Sequence, residues 1–156
     1  MAPDAEARLR ELGIELPDVP APGGAYVPAT RAGTLVFTAG QLPFEEGELH
    51  KTGKVGDAVS VQEAQQAARL CALNAIAAAA AEAGGLNNLR QIVKVTGFVA
   101  SAPEFNDQPQ VINGASELIG EIFGEYGLHA RSAIGVAELP LDAPVEVELV
   151  AEMGDS

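Results

Sequence analysis

The pattern of apolar and polar positions predicts a short helix at the start of the chain. Two leucines lie three positions apart among charged residues in 5–12, and Gly13 follows as a helix terminator. The next segment, LPDVPAPGG, is predicted to run extended over the surface, because proline cannot continue a helix. We therefore assign residues 1–22 to an N-terminal helix and proline-rich linker, and residues 23–153 to a single domain.

Two longer helices are predicted further along. Ser60 and Glu63 have the spacing of a capping box, in which the serine accepts from the N–H three residues on and the glutamate reaches back. The helix that starts there ends before Gly84, and its eleven alanines let a sheet or another helix approach closely. The other helix is predicted over residues 108–125 or 109–125.

Five strands are predicted from runs of apolar and β-branched residues at 26–29, 34–39, 91–100, 130–137 and 145–151. A turn at residues 31–33 joins the first two, and the last two are predicted to form a hairpin. The polar segment FEEGELHKTGKVG at 44–56 is predicted to be a loop. The order β-β-α-β-α-β-β gives an α+β fold with the helices on one face of a sheet.

Composition narrows the class of protein. A chain of 156 residues that is 47% apolar is one domain with ample material for a core. Its net charge of −13 repels phosphate backbones and anionic membranes, so neither nucleic acid nor a membrane is expected as a partner. Charges near the N terminus argue against a signal peptide, and the single Cys71 allows no intrachain disulfide, so a cytoplasmic location is favoured.

The charge distribution singles out Arg131. It is the one basic residue in the last 54, among eleven acidic ones. Such a guanidinium is either a salt-bridge partner or an anion receptor that grips a carboxylate through two hydrogen bonds. In the predicted hairpin it faces Glu146 or Glu148, which share one face of the last strand and could orient water. The alternative is a surface ion pair of little energetic value.

Other residues carry less specific signals. His50 and His129 have no partner at metal-ligand spacing, so they are taken as ordinary histidines and no metal site is predicted. Ser132 lacks the G-x-S-x-G context of a nucleophile elbow. Asn113 and Gly114 are poor helix formers inside a predicted helix, so either Asn113 makes a polar contact or the helix bends.

Several segments form a set that is more informative than any one of them. They are Gly40-Gln41-Leu42-Pro43 after an apolar strand, the alanine-rich helix, the helix that contains Asn113, Arg131-Ser132-Ala133, Leu139-Pro140 and Val145-Glu146-Val147-Glu148. Together they resemble the Rid/YjgF family of reactive intermediate deaminases, also called L-PSP endoribonuclease-like proteins. The resemblance covers residues 24–151, and the segments VINGAS and FGE are similar to a less characterised branch.

The resemblance implies a chorismate-mutase-like α+β fold that assembles as a homotrimer with ligand clefts between subunits. It implies hydrolysis of 2-imino acids or their enamine tautomers to 2-keto acids and ammonia, without a metal or organic cofactor. The partner is then a small carboxylate metabolite. Two alternatives stay open: a non-catalytic binder or sensor of small carboxylates such as 2-keto acids, and, ranked last because of the charge, an endoribonuclease or translation inhibitor.

The resemblance also implies two catalytic residues. Arg131 matches the arginine that binds the substrate carboxylate, a role that suits its planar fork of donors. Glu146 matches the glutamate that helps to place the attacking water. Glu148 is kept as the alternative, since the alignment after Pro140 decides which of the two glutamates faces the cleft.

Five further positions are implied as substrate-binding. Tyr26 matches a tyrosine of the cleft, and Asn113 matches a polar residue nearby. The backbone around Gly40 and Ala133 is expected to supply hydrogen bonds to the substrate. Ala39 occupies the position where the well-studied deaminases have a serine, so this chain lacks a hydroxyl group there.

Overall fold

The computed structural model describes residues 3–154, which form three helices and seven strands. The helices are α1 (Ala5–Leu12), α2 (Val61–Ala83) and α3 (Gln108–Phe123). The strands are β1 (Ala29–Ala32), β2 (Leu35–Thr38), β3 (Phe44–Glu45), β4 (Glu48–Leu49), β5 (Leu89–Ala100), β6 (Ala130–Val136) and β7 (Val145–Met153). The predicted α+β fold is confirmed, with one short hairpin added to the predicted order.

The ends of α2 follow the predicted local signals. The Ser60 hydroxyl accepts from the Glu63 N–H at 3.1 Å, and the Glu63 carboxylate accepts from the Ser60 N–H at 3.0 Å. Gly84 ends the helix with a φ of 82°, a conformation that costs glycine little. Thirteen residues of α2 are buried because its small alanines let both the sheet and α3 pack against it. Within the described chain, no helix is long and apolar enough to cross a membrane.

Five strands form one sheet in the order β1-β2-β7-β5-β6, in which only β5 and β6 run parallel. On β7, buried residues alternate with partly exposed ones, so one face packs under the helices and the other stays open. The open face carries Glu146, Phe37 and Ile134, and the last two are 40% and 43% exposed. This face, which we call the open face, is where the sheet has no helix over it.

The first predicted strand, at residues 26–29, is wrong. The strand β1 begins at Ala29, because the segment before it bonds to itself. The Tyr26 N–H donates to the Gly24 carbonyl at 3.0 Å, and the Tyr26 hydroxyl accepts from the Gly23 N–H at 3.1 Å. The predicted turn at 31–33 is also displaced, since Ala32 pairs with Leu35 and the turn falls between them.

The predicted loop at 44–56 contains the small hairpin of β3 and β4. Its turn residues Glu46 and Gly47 both have positive φ, as the favoured two-residue hairpin turns require. Asn74 on α2 is almost fully buried, and its amide group donates to the carbonyls of Leu42 and Phe44 at 3.0 and 2.9 Å. Strands of two residues are too short to show an alternating pattern, which explains why the sequence does not reveal them.

The predicted hairpin of the last two strands is wrong, because β5 lies between β6 and β7. The helix α3 connects β5 to β6 as a crossover, which places β6 parallel to β5 at the edge of the sheet. The strand β7 instead enters on the other side of β5 and runs antiparallel to it. Arg131 and Glu146 are therefore not cross-strand neighbours.

The N-terminal helix packs onto the rest of the chain. Ala5 and Leu9 are buried in the same core as the helices and sheet. The Arg8 guanidinium donates through Nε to the Glu121 carbonyl on α3 at 2.7 Å. The assignment of residues 1–22 as a unit apart from a domain at 23–153 stays a prediction.

Candidate functional site

Arg131 lies on the edge strand β6 and points towards α3. Its Nη1 donates to the Asn113 side-chain oxygen at 2.8 Å and to the Ser116 hydroxyl at 3.2 Å. Its Nη2 donates to the Pro109 carbonyl at 3.4 Å. All three acceptors are uncharged, and among residues 3–154 no carboxylate pairs with this arginine. The interpretation of Arg131 as a salt-bridge partner is therefore not supported within the described residues, and its role as an anion receptor stays a prediction.

The contacts of Arg131 leave two of its N–H donors without a partner within the described residues. A guanidinium has five N–H donors, and α3 uses three of them. Nε–H and one Nη2–H have no partner in the part of the chain that the structure describes. We call these two donors, which are carried by the adjacent nitrogens Nε and Nη2, the open edge of Arg131, because α3 leaves them for a ligand such as a carboxylate. We call Arg131 with Asn113 and Ser116 the arginine half-site.

The two residues that looked out of place in α3 have separate explanations. Asn113 makes a polar contact, as one of the two hypotheses held, since it accepts from Arg131. Gly114 lies where α3 crosses α2, and a Cβ there would overlap the Gln65 backbone carbonyl. The helix continues unbroken through both positions, so the bend is not observed.

A second group of predicted residues lines a cavity of about 580 Å³ beside β7. Glu146, Gly40 and Tyr26 all contribute to its wall. Gln41 and Val147 exchange backbone hydrogen bonds of 2.8 and 3.0 Å, which brings Gly40 against the Glu146 carboxylate. A Cβ on Gly40 would overlap that carboxylate, so glycine leaves the room it needs. We call Glu146 with Gly40 and Tyr26 the glutamate half-site.

The glutamate half-site favours the protonated form of its carboxyl group. Burial, and secondarily the negative charge of Glu148, raise the pKa of Glu146 above its usual range. Between the two candidate glutamates, the cavity wall includes Glu146 and not Glu148. A carboxylate with a raised pKa is better suited to accept a proton from water near neutral pH.

The remaining predicted residues lie beside the half-sites. Ala133 is on β6 with Arg131 and pairs with Gly97 of β5. Ala39 precedes Gly40 but is not part of the cavity wall, and its N–H donates to the Pro28 carbonyl at 2.8 Å. Its backbone donor is therefore occupied within the chain.

The two half-sites are separate within one chain. Arg131 pairs with Val95 of β5, and Glu146 pairs with Phe98 of the same strand. The two residues are therefore separated by β5 across the sheet and by three positions along it. Standard strand dimensions place the Cα atoms of Arg131 and Glu146 about 14 Å apart. Arg131 also points to the helices, whereas Glu146 lies on the open face. One copy of the chain cannot hold both groups on the same small ligand.

Sequence reasoning missed Ser116 and His129. Ser116 accepts from Arg131, and its oxygen lies 2.9 Å from Nε2 of His129. The sequence spacing could have indicated both residues. Ser116 lies one helical turn after Asn113, and His129 lies two residues before Arg131, so each shares a face with a predicted site residue. His50 makes an exposed contact with the Glu45 carboxylate at 2.8 Å.

The chemistry of the remaining candidate groups is limited. Cys71 is buried, its thiol donates to the Val145 carbonyl at 3.4 Å, and burial raises the pKa of this thiol well above its usual range. A buried thiol of this kind is a poor nucleophile. In the described range, no three side chains of histidine, cysteine, aspartate or glutamate are grouped so that they could hold a metal ion.

A mixed sheet with both long helices on one face is the arrangement of the chorismate-mutase-like class of α+β proteins. The chain belongs to the YjgF/Rid family. The family model described as YjgF/chorismate mutase-like, with endoribonuclease also in its description, matches residues 6–153. This confirms the resemblance that the sequence segments indicated.

The similar proteins include members with and without a described activity. The chain is 48% identical to Atu1372 of Agrobacterium tumefaciens, a protein of unknown function, with a TM-score of 0.88 and coverage of 96% of this chain and 93% of that one. It is 43% identical to protein TCP17 of Trypanosoma cruzi over 96% of this chain and 94% of that protein. The branch is thus a less characterised one, as the sequence indicated.

Two relatives with named chemistry are more distant. The 2-iminobutanoate/2-iminopropanoate deaminase of Salmonella typhimurium is 34% identical over 88% of this chain and 94% of that protein. The structure of Escherichia coli TdcF with bound serine has a TM-score of 0.64 and 28% identity, covering 87% of this chain and 94% of that one.

Proposed function

We propose that the protein hydrolyses 2-imino acids, or their enamine tautomers, to 2-keto acids and ammonia in a cleft between two copies of the chain. The observation that carries this proposal is that Arg131 has no carboxylate partner among residues 3–154 and keeps two N–H donors that α3 does not use. The deaminase activity of a relative and the serine bound to TdcF support a small substrate with a carboxylate group.

The assembly is part of the proposal. Since the two half-sites are on opposite faces of one sheet, a complete cleft needs the arginine half-site of one copy and the glutamate half-site of another. A closed ring with cyclic symmetry repeats the same contact at every interface, and a homotrimer is the smallest such ring with head-to-tail interfaces. The exposed Phe37 and Ile134 on the open face are available for burial in such an interface.

The reaction follows from the groups in the two half-sites. Arg131 would hold the substrate carboxylate and so fix the C=N carbon in the cleft. Glu146 would accept a proton from water as the new C–O bond forms, and the imine nitrogen would take up a proton. Collapse of the resulting amino alcohol would break the C–N bond and release ammonia. The products are one 2-keto acid and one ammonia for each imino acid and water consumed.

Mixing two inactive variants tests the divided site. Arg131→Ala retains the glutamate half-site and Glu146→Gln retains the arginine half-site, so each alone is expected to be inactive. Unfolding and refolding the two together in equal amounts should restore about a quarter of wild-type activity, the statistical share of intact interfaces. The measurement is ammonia release from imino acids generated in situ by an amino-acid oxidase.

The controls for this experiment are the two variants refolded separately and wild-type protein refolded alone. Activity that stays absent in the mixture, while refolded wild-type protein is active, would contradict a site shared between copies. Wild-type protein that does not accelerate ammonia release over buffer would contradict the deaminase proposal itself.

The pH dependence of activity should report the environment of Glu146. Because burial and the Glu148 charge both favour its protonated form, kcat/KM is expected to fall as the pH drops through the raised pKa of Glu146. Glu148→Gln removes one of these causes, so the acidic limb should move to lower pH. Glu152→Gln, further along the same strand, is the matched control and should leave the limb in place. An acidic limb unchanged by Glu148→Gln would exclude Glu146 as its origin.

A non-catalytic binder of small carboxylates is the second candidate. Ala39 favours it, since the hydroxyl present in the well-studied deaminases is missing while the arginine half-site is complete. Calorimetric binding of 2-keto acids without any ammonia release would support this alternative. Endoribonuclease activity ranks last, because a net charge of −13 repels RNA.

A further inference from the structure

Ser116 and His129 connect Arg131 to the backbone through a chain of hydrogen bonds. Nδ1 of His129 lies 2.6 Å from the Gly127 carbonyl, and Nε2 lies 2.9 Å from the Ser116 hydroxyl. The Ser116 oxygen in turn accepts from Nη1 of Arg131 at 3.2 Å. All three side chains are partly buried.

For a neutral imidazole, the donors and acceptors present set one direction for each bond in this chain. A carbonyl oxygen only accepts, so Nδ1 of His129 carries a proton and donates it to Gly127. In the neutral imidazole Nε2 is then an acceptor, and the Ser116 hydroxyl donates to it. The lone pairs of Ser116 are left for Arg131, which can only donate.

We propose that Ser116 and His129 are positioning residues, which hold the guanidinium plane of Arg131 so that its open edge meets the substrate carboxylate. The inference rests on the proposed function of Arg131. Neither residue occupies the Nε–H and Nη2–H edge, because both act from the Nη1 side. They therefore set the orientation of the arginine without competing with its ligand.

Two acceptors on Nη1 hold the arginine better than one. Without Ser116, the guanidinium would keep the Asn113 contact and only the long 3.4 Å contact of Nη2 with the Pro109 carbonyl, and Ser116 supplies a further point that fixes the plane. A serine inside a helix ordinarily donates to the carbonyl four residues earlier, which here belongs to Ile112. The His129 ring provides a competing acceptor and keeps the hydroxyl turned so that its lone pairs face Arg131.

The test separates substrate binding from the chemical step. Ser116→Ala is expected to raise KM for imino acids about tenfold, the loss of one hydrogen bond to a charged group, with kcat within about twofold of wild type. Calorimetric Kd for 2-oxobutanoate should weaken by the same factor. Ser116→Thr retains the hydroxyl and should give KM and Kd values close to those of the wild type. If Ser116 had a purely structural role, KM and Kd would not depend on the presence of the hydroxyl group.

A double-mutant cycle tests whether His129 acts through Ser116. His129→Phe keeps a ring of similar size and should raise KM about fivefold on its own. In the Ser116→Ala background the same change should add nothing, because the hydroxyl that it orients is gone. Ser132→Ala, a matched change beside Arg131 on the opposite face of β6, should leave KM unaltered.

The possible failures are distinguishable. If Arg131→Ala abolishes binding of 2-oxobutanoate but Ser116→Ala leaves KM and Kd unchanged, the positioning role is wrong and the proposed function stands. Additive effects in the double variant would show that His129 acts independently of Ser116, which also contradicts the inference. If Arg131→Ala leaves binding intact, the proposed function itself fails. If Ser116→Ala does not fold, KM and Kd are measured for His129→Phe and Ser116→Thr. A raised KM in His129→Phe with wild-type values in Ser116→Thr supports the positioning role, and an unchanged KM in His129→Phe contradicts it.

Discussion

Replacing Arg131 with alanine is expected to lower kcat/KM for 2-imino acids at least about a hundredfold and to remove measurable binding of 2-keto acids. The substrate carboxylate would lose both hydrogen bonds of the open edge and its only counter-charge in the arginine half-site. The measurements are ammonia release from imino acids generated in situ and calorimetry with a 2-keto acid. Thermal unfolding of the variant should stay cooperative, since no carboxylate of residues 3–154 pairs with this arginine.

Arg131→Lys is the informative control. It keeps the positive charge but not the planar fork, so it should recover only a small part of the lost binding. Full recovery with lysine would show that charge alone suffices and that the geometry of the open edge is irrelevant. Wild-type binding by the alanine variant would mean that Arg131 serves the structure and not a ligand.

The largest expected effect on stability is at Gly114. A Cβ at this position would meet the Gln65 carbonyl, which cannot move without shifting the backbone of α2. Gly114→Ala should therefore lower the free energy of unfolding by about 2 to 3 kcal/mol, the usual cost of overpacking at a close helix contact. Chemical denaturation measures the change.

Gly120 provides a matched control in the same helix. Its Cβ would meet nothing within 4 Å, so Gly120→Ala should raise the free energy of unfolding by up to about 1 kcal/mol through the better helix propensity of alanine. Equal effects of the two substitutions would contradict a close crossing of α2 and α3. Since Gly114 adjoins Asn113, the Gly114 variant should also bind 2-keto acids less well.

The features that could be predicted from the sequence are those with local causes. The capping residues Ser60 and Glu63 and the terminator Gly84 act within a few positions of one another, and the structure confirms all three. The charge distribution singled out Arg131 for a related reason, because the scarcity of basic residues is visible without the fold. Its role as an anion receptor stays a prediction.

The features that could not be predicted depend on contacts between distant segments. Nothing in the sequence of β6 shows that it pairs with β5 and not with β7, because parallel pairing is decided by the crossover through α3. The error had a large consequence, since it placed Arg131 and Glu146 together on one hairpin. The role of His129 was hidden for a related reason: its partner Ser116 lies in α3, and only the folded chain brings the two side chains together.

In the proposed cleft, the separation of the two half-sites would make activity depend on protein concentration. A single copy carries both half-sites but cannot bring them to one ligand, so diluting the protein below the concentration at which copies separate should lower the activity per molecule, not only the total. At low protein concentration, doubling the amount of protein is then expected to more than double the total activity. A cell that makes a version defective in one half-site alongside the active protein would lose only the mixed clefts to which the defective half-site contributes, and the mixed clefts that use the intact half-site of that version would stay complete.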